Sequence, residues 1–191
     1  MTDPILFAFA VIAILATPGP TNTLLATSGA MSGLRRSLPL VPAELAGYLI
    51  AIVTIGFFVN PIMSTLPMLA ASLRLAVAIY LGILAIRLWR RGPAEIVGRR
   101  LVGPRDVFVT TLLNPKAIIF ATGVIPLRQP DSGAYVAAFC GVLVCISVAW
   151  IGVGIAIGRG SLSRFDSSIV PRVGAAAICV FAAALLVRAL D

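Results

Sequence analysis

Lys116 is the chain's single lysine, and it follows Asn114-Pro115 inside a long apolar run. An ionisable side chain within such a run is costly to bury and marks a functional site by default. Glu44, in VPAELAGYLIAI, is the acidic residue that lies furthest into an apolar segment. The ammonium could hold a carboxylate. The carboxylate could hold an ammonium, pair with Lys116, or carry a proton between two compartments. The plainer alternatives are that Lys116 reaches back to the headgroups, and that Glu44 sits at a membrane edge beside Arg35 or Arg36.

Two proline motifs frame these charges. Pro18-Gly19-Pro20 interrupts the first apolar run, and Asn114-Pro115 interrupts a later one. Proline removes a backbone N–H and clashes with the preceding turn, so a helix stops there and can restart. Asn followed by Pro is a helix-capping residue followed by a favoured first-turn residue. Thr17-Pro18 and Gly19-Pro20 offer the same kind of restart. A restarted helix presents open N–H groups and the positive end of its dipole, which suit an anion such as a carboxylate. Pro18, Gly19, Pro20, Thr21, Asn22, Asn114, Pro115 and Lys116 are therefore the candidate solute-binding residues, with Glu44 the candidate coupling-ion residue. Kinks in packed helices are the alternative reading of both motifs, and backbone capping is the alternative for Thr21, Asn22 and Thr23.

The elements that must position these residues are membrane spans. The chain has 191 residues, 60% of them apolar and 12% charged, with a mean hydropathy of +1.06. Soluble domains have about 45–50% apolar and about 25% charged residues, so only lipid can hide this much apolar surface. A membrane helix needs about 20 apolar residues. Six such segments are predicted, at about 4–31, 38–59, 68–88, 107–127, 134–157 and 173–187. The sixth is short, about 22 Å, and its flanking Arg172 and Arg188 extend it to the headgroups. The N-terminus lacks a basic leader and a small-residue cleavage site, so it is expected to be a retained first span.

Basic residues set the orientation. Arg35 and Arg36 follow the first span. Arg87, Arg90, Arg91, Arg99, Arg100 and Arg105 follow the third, and Arg159, Arg164 and Arg172 follow the fifth. The other side carries only Arg128 and Arg188. Odd-numbered connections are expected in the cytoplasm and both termini outside. Three spans followed by three spans places the halves in opposite orientation, the layout of an inverted repeat with broken helices meeting near the bilayer midplane. The fold class expected is an all-α integral membrane protein: six transmembrane helices as two inverted three-helix repeats, with helices one and four broken at the proline motifs. One domain is expected over 1–191, with halves of about 1–91 and 104–191 and a cytoplasmic connection of about 89–105.

The net charge of +8 serves topology here; no basic face interleaved with aromatics suggests nucleic acid. Cys140, Cys145 and Cys179 lie in apolar stretches, with no CxxC pair and no histidine. That argues against a soft-metal site, and so against export of an inorganic cation. A membrane thiol–disulfide carrier would need facing cysteines in spans one and four, which contain none. Asp106 reads as a helix-start residue. Tyr48, Tyr80 and Trp150 read as packing or interface residues. Gly47, Gly82, Gly123, Gly152 and Gly154 read as points of close helix approach.

ATPGPTNTLLATSGAMSGLRRSL in the first span and LLNPKAIIFATG in the fourth resemble the lysine-exporter family, which includes the homoserine and threonine exporters. IYLGILAIRLWRR and VAWIGVGIAIGR, closing the third and fifth spans, are similar to it too. The resemblance runs in order along nearly the whole chain. It implies a six-span secondary exporter of amino acids or their analogues, driven by the proton gradient, in the bacterial inner membrane. It implies no enzyme activity and no cofactor. The partners it implies are a small-molecule solute, amino acids foremost, and the lipid bilayer, with a homo-oligomer left open. The family's proline motifs fall on Pro18, Gly19, Pro20, Asn114, Pro115 and Lys116. Ser37, Pro39, Pro42 and Glu44 stand where such proteins often have glycines.

Overall fold

The computed structural model describes residues 3–59 and 101–159, together with Met68, Ser72, Leu75, Ile79, Gly82, Ile83, Ile86, Ala176, Cys179 and Ala183. Most of the predicted third and sixth spans, the connection at 89–100, Arg74, Tyr80, Arg164, Arg172 and Arg188 lie outside the described residues.

Helix α1 (Pro4–Ala16) starts where Asp3 caps it: the carboxylate accepts from the backbone N–H of Ile5 at 2.8 Å and of Leu6 at 3.2 Å. It ends at Thr17, because Pro18 has no N–H to continue the ladder. Helix α2 (Pro20–Ser37) restarts with Pro20 in its first turn, bent by 62° from α1. Gly33, at φ +74°, is the one described residue with a positive φ, and it breaks α2 near its end. Helix α3 (Leu40–Val53) runs on through a wider π-type segment to Val59.

Helix α4 (Pro104–Leu112) begins at Gly103, whose N–H donates to the Asp106 carboxylate at 3.0 Å. Asp106 is thus the helix-start residue its position suggested. Helix α5 (Pro115–Ile119) follows the second break, widens into a π-type turn over Phe120–Val124, and is bent by 47° from α4. Helix α6 (Ser132–Gly158) has 27 residues and no charge. At 1.5 Å per residue it is about 40 Å long, enough to cross a bilayer with tilt. Leu40–Phe58 and Ser132–Gly158 are each long and apolar enough to cross a membrane, and so is each bent pair taken as one span. Spans one, two, four and five of the sequence reading thus correspond to helices. No strand occurs among the described residues.

Small residues decide which helices touch. A Cβ on Gly29 would overlap the Ile151 carbonyl, one on Gly154 the Ala26 carbonyl, and one on Gly158 would lie 2.7 Å from the Ala30 carbonyl oxygen. This glycine seam joins α2 to α6. Gly47 likewise brings α3 against Phe108 and Thr111 of α4. Such backbone-to-backbone approach is how helices gain packing where lipid competes equally for apolar side chains. Gly47 and Gly154 therefore act as expected. For Gly82, Gly123 and Gly152 nothing described lies within 4 Å of a Cβ placed there, so close approach at these three is not seen among the described residues.

Two apolar clusters fill the bundle. One gathers Phe7, Val11, Leu15, Tyr48, Ile52, Phe120, Phe139 and Leu143. The other gathers Leu24, Leu25, Leu40, Val41, Val107 and Ile151. Each helical path passes from one cluster to the other, and on each some buried polar residues fall between: Thr21, Asn22 and Thr23, Glu44, Thr111 with Asn114 and Lys116, and Ser147; Ser28 and Ser37 are buried further along α2.

Candidate solute site at the helix breaks

The first break leaves backbone carbonyls without helical partners. Pro18 and Pro20 cannot donate, and the chain turns away after Thr17, so the last carbonyls of α1 need other donors. Two side chains supply them. The Asn22 amide donates to the carbonyls of Leu15 at 2.8 Å and Thr17 at 3.0 Å. The Lys116 ammonium, arriving from the other break, donates to Thr17 at 2.5 Å and Leu15 at 3.4 Å. A cation at the C-terminal end of a helix meets the negative pole of its dipole. Lys116 is 8% exposed, so this is a desolvated contact. Gly19 gives it room: a Cβ there would lie 3.3 Å from Lys116 Cε.

Asn114 is the hub of the second break. Its side-chain oxygen accepts from the Lys116 backbone N–H at 3.0 Å, capping α5. Its amide nitrogen donates to the Thr21 hydroxyl at 3.0 Å and to the Tyr48 hydroxyl at 3.2 Å. The Thr111 hydroxyl donates to Thr21 at 3.2 Å. Tyr48 is held by edge contacts with Phe120 and Phe139, which leave its hydroxyl turned to Asn114. The two breaks are thus bonded directly to each other.

The restarted helices differ. The N-terminus of α5 is closed by its own Asn114. That of α2 has no side-chain cap, although Thr21 and Asn22 are buried. The end open to an anion is therefore α2. Lys116, expected to face a carboxylate, spends two of its three N–H donors on carbonyls of α1.

Glu44 is buried, while Arg35 and Arg36 are exposed. Its only side-chain hydrogen bond among the described residues is to Ser147 of α6. The Ser147 oxygen lies 2.5 Å from the Glu44 carboxyl and 2.7 Å from the Leu143 carbonyl. A serine hydroxyl has one proton and the carbonyl has none. If Ser147 donates to Leu143, the contact with Glu44 needs a proton on Glu44. Glu44 and Lys116 also lie within electrostatic reach of each other.

The structure therefore gathers Pro18, Gly19, Pro20, Thr21, Asn22, Asn114, Pro115 and Lys116 at one junction, with Glu44 joined to α6 beside it. Sequence reasoning missed Thr111, Ser147 and the α1 carbonyls, and took Tyr48 for a packing or interface residue. Thr111 stands one helical turn before Asn114 and could have been found by that spacing. A lone serine in an apolar run and a backbone carbonyl give no such signal. A separate cleft of about 220 Å³ lies between Gly56, Ala121 and Leu127–Gln129, away from the breaks.

No group of three His, Cys, Asp or Glu side chains that could hold a metal occurs among the described residues. Cys140, Cys145 and Cys179 are unpaired. What the junction offers is two helix poles of opposite sign, an ammonium and an amide network, a set suited to binding a small charged solute without covalent chemistry. Comparison with curated proteins and with solved structures gives no match. The family model for LysE type translocators matches residues 12–189. With that match across nearly its full length, the chain belongs to the LysE type translocator family, and it is a membrane transport protein working in efflux.

Proposed function

We propose that this translocator exports amino acids or amino-acid-like small solutes across the bacterial inner membrane in exchange for protons. The solute binds at the junction of the two breaks. Its carboxylate takes the uncapped N-terminus of α2, and Glu44 carries the coupling proton. In this reading six spans form two inverted halves, both termini lie outside, and the junction is exposed to the two sides in turn. The observation that carries the reading is the docking of Lys116 on the open carbonyls of the first break, which ties a helix end from each half to one buried point. A packed scaffold has no use for an ammonium there, whereas a transport site needs polar groups that can exchange partners.

The hydrogen bonding of Glu44 supports the proton role. Where Ser147 donates to Leu143, Glu44 keeps its contact by supplying the proton; once ionised it takes the serine proton from Leu143 instead, so its protonation changes the hydrogen bonding between α3 and α6. The test is efflux from reconstituted vesicles loaded with a panel of amino acids, with and without a proton gradient. Gradient-stimulated efflux of some of the panel is the expected result. Efflux of none, by protein shown to be folded and inserted, would refute the reading.

A further inference from the structure

We infer that the C-terminal end of α1 is a subsite for a primary ammonium group, and that Lys116 fills it with its own ammonium when no solute is bound. This rests on the reading of the junction as a solute site and assigns the solute's second charge. The Leu15 and Thr17 carbonyls converge on one nitrogen, at 3.4 and 2.5 Å, at the negative pole of a helix. Asn22 donates to the same two oxygens and holds them in place. Among the described residues those two carbonyls are the acceptors of the Lys116 ammonium.

Gly19 points the same way. Its backbone is extended, at φ −162°, a conformation open to any residue. The glycine is therefore not needed for the turn. It leaves space beside the ammonium, where a side chain would press on Lys116. The uncapped start of α2 lies across the same break, so the two poles sit side by side and match the ammonium and carboxylate of an α-amino acid. Lys116 then competes with each solute. Its return to the carbonyls would expel the solute's ammonium, which suits an exporter that must release its cargo.

Because the chain has one lysine, labelling lysine with ¹⁵N at Nζ reports on Lys116 alone in the wild-type protein. Titration with ethylammonium should move that signal saturably, and tetramethylammonium, which has no N–H to donate, should not. In Lys116→Ala, saturable thermal stabilisation by ethylammonium should need at least tenfold less ligand than the displacement in the wild type, because the tethered competitor is gone. A Lys116 signal unmoved by ethylammonium, or moved equally by tetramethylammonium, would overturn the subsite, and it needs no variant to fold. Displacement by ethylammonium without amino-acid efflux would uphold the subsite and dispose of the exporter reading. Efflux of amino acids without displacement would do the reverse.

Discussion

Replacing Glu44 by glutamine tests the coupling role with little disturbance of the fold. The side chains are nearly the same size, and the amide can donate to Ser147 as a protonated carboxyl would. We expect stability to change by no more than about 1 kcal/mol. The transport effect should be far larger. Glu44 is the only acidic residue among the buried described residues, and in the proposed reading it carries one proton per cycle. One charge moved through 100 mV is worth about 2.3 kcal/mol. That corresponds to a solute gradient of roughly 40- to 50-fold, at about 1.4 kcal/mol per factor of ten. In vesicles with an imposed 100 mV driving force, the wild type should build a gradient of that order. Glu44→Gln should lose it while keeping solute exchange without a gradient. Equal loss in both assays would reduce Glu44 to binding or structure. No loss in either would take Glu44 out of the coupling altogether.

Asn114→Ala removes the α5 cap and the donor to Thr21 and Tyr48. The cost should be about 2–4 kcal/mol by denaturant titration in detergent, with transport lost as well. Gly154→Leu drives a side chain into the Ala26 carbonyl and should cost about 1–3 kcal/mol or more. Gly152→Leu, two residues away and with nothing described within 4 Å of its Cβ, should stay within about 0.5 kcal/mol, as read by thermal unfolding. Cysteines placed at Arg99 and Arg128 should be labelled from opposite sides of the membrane; labelling from the same side would overturn the proposed orientation.

Both breaks were legible because proline acts locally: it removes a donor at its own position whatever the surroundings, and Asn114 caps the helix that Pro115 begins. Lys116 stood out for the same reason, since an apolar run declares where a charge does not belong, and it is buried. Its partners were not. The Leu15 and Thr17 carbonyls accept from it only because Pro18 and Pro20 leave them open and tertiary packing brings Lys116 across a hundred residues. Ser147 looked like any small residue in an apolar helix until Glu44 met it from α3. The glycines show the same limit. Gly29 and Gly158 pack against a facing backbone as Gly154 does, while Gly123 and Gly152 meet nothing described, and no glycine states from the sequence which face it is on.

If solute passes through the junction between the two breaks, Thr21, where Asn114 and Thr111 meet the first break, is the place to probe it. In a chain whose three native cysteines are serines, Thr21→Cys should react with a small charged thiol reagent added on either side of the membrane. A transported amino acid should slow the reaction from both sides. Reaction from neither side, or reaction that no transported amino acid slows, would contradict the account.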